Sequence, residues 1–161
     1  MAAGSTYTPI ATTTLGSAAS SYTFSSIPST YTDLVLIHAG TTSGATDVYM
    51  YFNGDTGSNY SRTYLFGDGS AAGSGRQTSV SSIFWNYQNT TQSTATAQIM
   101  NYANSTTYKT VLSRENPVAV ATAAIVGLWR STAAITSITV GANSGTLSAG
   151  STLTLYGIAA A

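Results

Sequence analysis

The stretch Asp47 to Phe66, DVYMYFNGDTGSNYSRTYLF, decides how the chain folds. In its first part Val48, Met50 and Phe52 fall on one side and Tyr49 and Tyr51 on the other. In its last part Tyr60, Arg62, Tyr64 and Phe66 share a side. A period of two marks half-buried β-strands. Between them, Asn53-Gly-Asp-Thr-Gly-Ser-Asn59 spaces oxygen-bearing side chains as a calcium loop does. However, Gly57 stands where an EF-hand has a ligand, the closing Glu is missing, and Asp55 is the loop's one carboxylate. Calcium wants roughly six to eight oxygens and usually more than one carboxylate. Asn-Gly and Thr-Gly between alternating strands are hairpin signals. The segment therefore reads as a structural bend with no metal. Gly54 and Gly57 permit the bend, and Asp55 and Asn59 bond to the loop's own backbone.

Strand follows strand on either side of this segment. Tyr31 to Gly40 (YTDLVLIHAG) is apolar on both faces at its centre and belongs in the middle of a sheet. Tyr22 to Ile27 stops at Pro28. Val80 to Gln88 puts Ile83, Trp85 and Tyr87 on one side. Ala95 to Ala103 and Thr107 to Ser113 form a hairpin around Asn104-Ser-Thr. Val118 to Arg130 is Ala-rich, but its Val, Ile and Thr content and Gly127 favour strand over helix. Ile135 to Gly141 and Ser151 to Ile158 follow. Gly67 to Gly75, GDGSAAGSG, lacks the Gly-Lys-Ser/Thr ending of a phosphate loop and reads as a flexible surface loop. About ten strands at this spacing predict an all-β antiparallel sandwich, jelly-roll-like, with little or no helix. Residues 1–14 read as an extended N-terminal arm, or an edge strand laid on a neighbouring surface, and residues 15–161 as a single sandwich domain.

Composition narrows the function. The chain has 161 residues, 43% hydrophobic but only 6% charged, with five basic and five acidic residues and a net charge of +0. An average soluble domain carries roughly 25% charged residues. Without a Lys/Arg cluster there is nothing to displace phosphate counterions, so nucleic acid is not expected as a partner. The longest apolar run, Val118 to Trp129, is too short for a bilayer and is broken by Thr122 and Gly127, so no membrane is expected. The first residues lack a signal peptide's basic and apolar regions. There is no cysteine, which excludes disulfides and thiolate metal sites.

Catalytic patterns are lacking. The one histidine, His38, ends the most apolar strand and reads as a structural or contact residue. No Gly-x-Ser-x-Gly elbow occurs. The acids Asp33, Asp47, Asp55, Asp68 and Glu115 show no spacing that pairs them for general acid–base work. No catalytic, metal or cofactor residue is assigned. Tyr49, Tyr51, Tyr60, Tyr64, Trp85 and Tyr87 are candidates for a sugar-stacking platform, weighed against packing in the core or at a subunit interface. Tyr7, Pro9 and Ile10 in the arm, and Arg76 after the glycine-rich stretch, are the candidate partner contacts.

Three blocks carry a resemblance: YTFSSIPSTYTDLVLI (Tyr22 to Ile37), FNGDTGSNYSRTYLFGDGS (Phe52 to Ser70) and AGSTLTLYGI (Ala149 to Ile158). In this order they resemble a group of small β-sandwich proteins of tailed bacteriophages, including phages of aquatic bacteria. Those proteins occur as capsid decoration (cement) proteins or as parts of tail fibres. The resemblance implies a non-enzymatic virion structural protein on the capsid exterior, with the major capsid protein and copies of itself, as a homotrimer, for partners. The alternative it implies is a tail-fibre or receptor-binding module that recognises a glycan. It carries no active-site residue and no cofactor.

Overall fold

A computed structural model describes residues 6–115 and 121–159. Twelve strands run in order: β1 (Tyr7–Thr14), β2 (Ser21–Phe24), β3 (Asp33–Gly40), β4 (Thr46–Phe52), β5 (Tyr60–Gly67), β6 (Ala72–Val80), β7 (Ile83–Gln88), β8 (Ser93–Met100), β9 (Lys109–Glu115), β10 (Thr122–Trp129), β11 (Ile138–Ala142) and β12 (Thr152–Ile158). They form two sheets, one of eight strands in the order β1-β12-β3-β8-β9-β10-β5-β6 and one of four in the order β2-β11-β4-β7. Every pairing is antiparallel. The chain is an all-β, jelly-roll-like sandwich with no helix among the described residues.

Alternation builds the core. Along β4, Thr46, Val48, Met50 and Phe52 are buried while Asp47, Tyr49 and Tyr51 are half-buried on the other face. Leu34 and Leu36 of β3 face them from the large sheet, and β3 lies mid-sheet between β12 and β8. At one end Trp129 stacks on Tyr60 with ring centroids 6.2 Å apart, and Phe52 tilts against both. Large apolar side chains buried to this degree each contribute about 1.5–3 kcal/mol relative to exposure.

Four expectations are corrected. Tyr7 to Thr14 is not an arm on a neighbour: it is the edge strand β1 of the chain's own large sheet, paired with β12 from Tyr7↔Ile158 to Thr14↔Thr152. The boundary between residues 14 and 15 therefore separates no arm from the domain, although residues 1–5 lie outside the described residues. Gly67 to Gly75 is not simply a loop: after a turn capped by Asp68, whose Oδ1 accepts from Ser70 N and Ala71 N, the chain re-enters the sheet as β6. Gly73 and Gly75 pair with Phe66 and Tyr64, whose rings lie flat over the space their Cβ atoms would fill. Tyr87 does not share a side with Ile83 and Trp85. The β4–β7 register shifts between Val48 and Tyr49, because Trp85 is an extra residue on β7, and Tyr87 turns outward. Finally, Asn53 to Asn59 joins strands of different sheets and makes no hairpin. The helix-or-strand segment resolves as β10 from Thr122; Val118 to Val120 lie outside the described residues.

Candidate functional site

The Asn53–Asn59 loop is built by its own donors. Asn53 and Gly54 take positive φ of 53° and 70°, and Asp55 N donates to Phe52 O at 2.9 Å, as an Asn-Gly turn requires. The Asp55 carboxylate accepts from Trp129 Nε1 (2.7 Å), Gly57 N (2.9 Å) and Asn59 Nδ2 (3.0 Å). The Trp129 bond, first, and then the others hold its carboxyl below the usual range. Asn53 Oδ1 accepts from Thr136 N and Ser137 N, pinning the loop to the approach to β11. N–H groups surround the loop's carboxylate and its amide oxygen, which is the environment of a structural knot and unsuited to a cation.

His38 is sealed in the core at 0% exposure. Its Nδ1 lies 3.1 Å from Asn86 Nδ2, so it accepts there and carries its proton on Nε2. Burial pushes its pKa down to about 4, so the imidazole stays neutral. It has no path to a substrate.

The small sheet stops at β7, but the large sheet continues past it through β9, β10, β5 and β6. The inner face of that overhang is the floor of an open cleft of about 570 Å³, and the edge of β7 is its wall. Strand register sets the floor in rows: Glu115, Ala123 and Phe66 lie side by side, then Ile125 and Tyr64, then Arg62 and Gln77. Two charged side chains cap the edge of β7. The Tyr87 N–H donates to Glu115 Oε2, and Arg62 donates to Phe84 O at 3.2 Å. Arg62 also donates to Gln77 Oε1 at 3.0 Å, and its guanidinium carbon sits 4.2 Å from the Phe84 ring centroid. Burial pushes the Glu115 carboxyl up to about 7; Asp47, which lines the same cleft, is also raised by burial, with Arg62 opposing.

This cleft is what sequence spacing did not reveal. Asp47, Asp68 and Glu115 show no common spacing, yet pairing of β4 with β7 and of β9, β10 and β5 brings them to one place. The proposed aromatic platform divides. Tyr60 and Trp85 are fully buried, Tyr49 and Tyr51 stack on each other on the outer face of the small sheet, and only Tyr64 and Tyr87 reach the cleft.

The contact candidates lie on the other face of the large sheet. One cross-strand row runs from Pro9 through Tyr156, Val35 and Gln98 to Leu112, Val126 and, across Thr63, to Arg76 at the far edge. Tyr7 stands 54% exposed near the Pro9 end. Ile10 does not join them: at the Pro9/Ala11 irregularity of β1 it packs against the core, which removes it from the contact set. Leu112, Val126 and, in the adjoining row, Leu65 are exposed at 44%, 48% and 61%.

No family model matches the chain, and no curated protein matches it. Among solved structures it is similar to an exo-inulinase from Aspergillus awamori (10% identity, 94% of this chain and 29% of that chain, TM-score 0.43). It is also similar to the alginate lyase Aly36B (11% identity, 91% and 77%, TM-score 0.38) and to a tetrameric galectin from the ball sponge Cinachyrella sp. (12% identity, 86% and 99%, TM-score 0.32). The chain spans less than a third of the inulinase, and likeness at these scores says nothing of substrate or activity.

Proposed function

We propose that the chain is a non-enzymatic structural protein of a tailed-phage virion, a decoration protein that binds the outer capsid surface as a homotrimer and stabilises the shell. The observation that carries this reading is the outer face of the eight-stranded sheet. Across eight strands at about 4.8 Å spacing it offers a wall roughly 34 Å wide. Val126 and Leu112 are directly paired and exposed at its centre, and the row that holds them carries one charge, Arg76, at its end. The adjoining row, which holds Leu65, carries Arg114, so the face is broad and weakly charged with an apolar centre, which suits many small contacts repeated by symmetry more than one recognition event. The blocks that resemble phage virion proteins build β2 to β3, the loop before β5 with β5 itself, and β12, so they carry much of this scaffold. On this reading Tyr7, Pro9 and Arg76 rim the contact with the major capsid protein or a neighbouring copy.

Copy number tests the proposal. Quantitative mass spectrometry and cryo-electron microscopy of the particle should find hundreds of copies at symmetric positions on the shell, with Leu112 and Val126 turned towards it. A Val126→Lys variant should fold normally and lose occupancy. A few copies per particle at the tail, or full occupancy by the variant, overturns the reading.

A further inference from the structure

We infer that the cleft beside β7 binds a neutral sugar ring. Its floor and wall present three kinds of group within one space of about 570 Å³, inside the roughly 300–1,000 Å³ range of small-molecule sites. Phe66, Tyr64, Phe84 and Tyr87 supply aromatic surface. Asp47 and Glu115 supply hydrogen-bond acceptors, and the Arg62 guanidinium and the tyrosine hydroxyls supply donors.

Charge decides among ligand classes. A cation finds the faces of Phe84 and Tyr64 already held by Arg62, 4.2 Å and 5.8 Å from their centroids, which leaves it only Phe66 and Tyr87. An anion meets Asp47, Asp68 and Glu115 against the single guanidinium. A pyranose meets neither obstacle. Its hydroxyls donate to the carboxylates and accept from Arg62, while its C–H face covers an aromatic ring whose apolar surface is otherwise wet.

The site is also built to hold its shape. Arg62 is fixed by Gln77 Oε1 and Phe84 O, Glu115 by the Tyr87 N–H, and Tyr64 and Phe66 lie over Gly75 and Gly73 on β6. A site whose polar groups are already oriented loses less freedom on binding. The inference stands apart from the virion reading, since a cleft on the inner face is used or unused whatever the outer face docks to.

The test is a heteronuclear NMR titration of the isotope-labelled full chain. The probes are methyl β-glucoside, methyl β-galactoside, maltotriose and chitotriose, with methylguanidinium as the cationic control. Saturable shifts for at least one sugar, centred on the amides of Arg62, Phe84, Tyr87 and Glu115, are expected. In a titration at about pH 8, above the Glu115 pKa of about 7, Glu115→Gln keeps an acceptor for the Tyr87 N–H but removes the charge, and it should weaken binding about tenfold, the loss of one charge-assisted hydrogen bond. Phe66→Ala, at a ring 40% exposed, should weaken it, with other shift changes confined to β6 around Gly73, which the ring covers. The inference is overturned by no saturation with any sugar, or by saturation centred on Tyr49 and Tyr51. It is equally overturned by unchanged affinity in both variants, by saturation with methylguanidinium alone, or by release of reducing ends, which makes the cleft catalytic.

Discussion

Replacing Asp55 by Ala tests the knot that joins the two sheets. Trp129 is buried to 2% exposure, and its indole N–H donates to Asp55 Oδ2 at 2.7 Å across 74 residues of chain. Without that acceptor the N–H is buried and unpaired, which costs about 1–3 kcal/mol. The other donors to Asp55, from Gly57 and Asn59, sit on exposed residues and regain water at little cost. The net loss should be about 2 kcal/mol, or about 4–8 °C in Tm for a domain of this size. A double-mutant cycle isolates the bond. In a Trp129→Phe background, which keeps an aromatic ring but removes the donor, Asp55→Ala should cost about 0.5 kcal/mol or less, leaving a coupling near 1.5 kcal/mol. Urea unfolding followed by circular dichroism measures all four proteins. Equal cost in both backgrounds refutes the knot. So does a rise in the wild-type midpoint with added calcium that disappears in Asp55→Ala, since a ligand of the folded state alone raises stability by mass action.

Two further predictions follow from the core and the sheet edge. His38, with a folded pKa of about 4 against 6.5 unfolded, loses stability as pH falls through that window, because only the unfolded chain takes the proton. Glu115, at about 7 against 4.5, has the opposite slope: the folded state keeps its proton, and stability is lost as pH rises from 4.5 towards 7. Each full difference is worth about 1.4 kcal/mol per pH unit, less for Glu115 at the open cleft wall. Wild-type urea midpoints should therefore be nearly flat where the windows overlap. His38→Gln should lose stability with rising pH there, and Glu115→Gln should gain it; three parallel profiles contradict the assignment. Deleting residues 1–14 should expose the edge of β12 and cost about 2–4 kcal/mol through the lost packing of Ile10 and its neighbours. Hydrogen exchange should then show lost protection from Thr152 to Ile158, and unchanged protection would mean that β1 contributes nothing to the sheet.

The parts of the fold that were legible in the sequence are those where burial writes a pattern. β3, β4, β5 and β12 alternate or run apolar because each packs a face on the core. The two strands read otherwise, β1 and β6, are the edges of the large sheet, where Thr, Gly and Ser suffice and no apolar period is needed. β6 is legible only through its neighbour: Tyr64 and Phe66 supply the surface that Gly75 and Gly73 lack. One extra residue at Trp85 was enough to send Tyr87 to the opposite face, and no composition rule locates such a bulge. The cleft was illegible for another reason. Arg62 and Glu115 meet because β10 lies between β5 and β9, and that strand order is a property of topology, which local periodicity does not record.

The same topology explains how one wall can serve two purposes. In β5 and β10 successive side chains point to opposite faces, so Leu65 and Val126 stand on the outer face while Tyr64, Phe66 and Ile125 line the cleft. A change on one face therefore leaves the other's chemistry in place, provided the strands keep their register. That register is held by the Asp55–Trp129 bond at one end of the overhang and by Glu115 and Arg62 capping β7 along it. If the outer face seats on a capsid, the cleft is turned away from the shell and stays open to solvent. A charge at Val126 should then abolish docking while the sugar titration is unchanged, and Glu115→Gln should weaken sugar binding while docking is unchanged. Loss of both properties in either variant would mean that the two faces are coupled through the sheet, against the independence that alternation gives them.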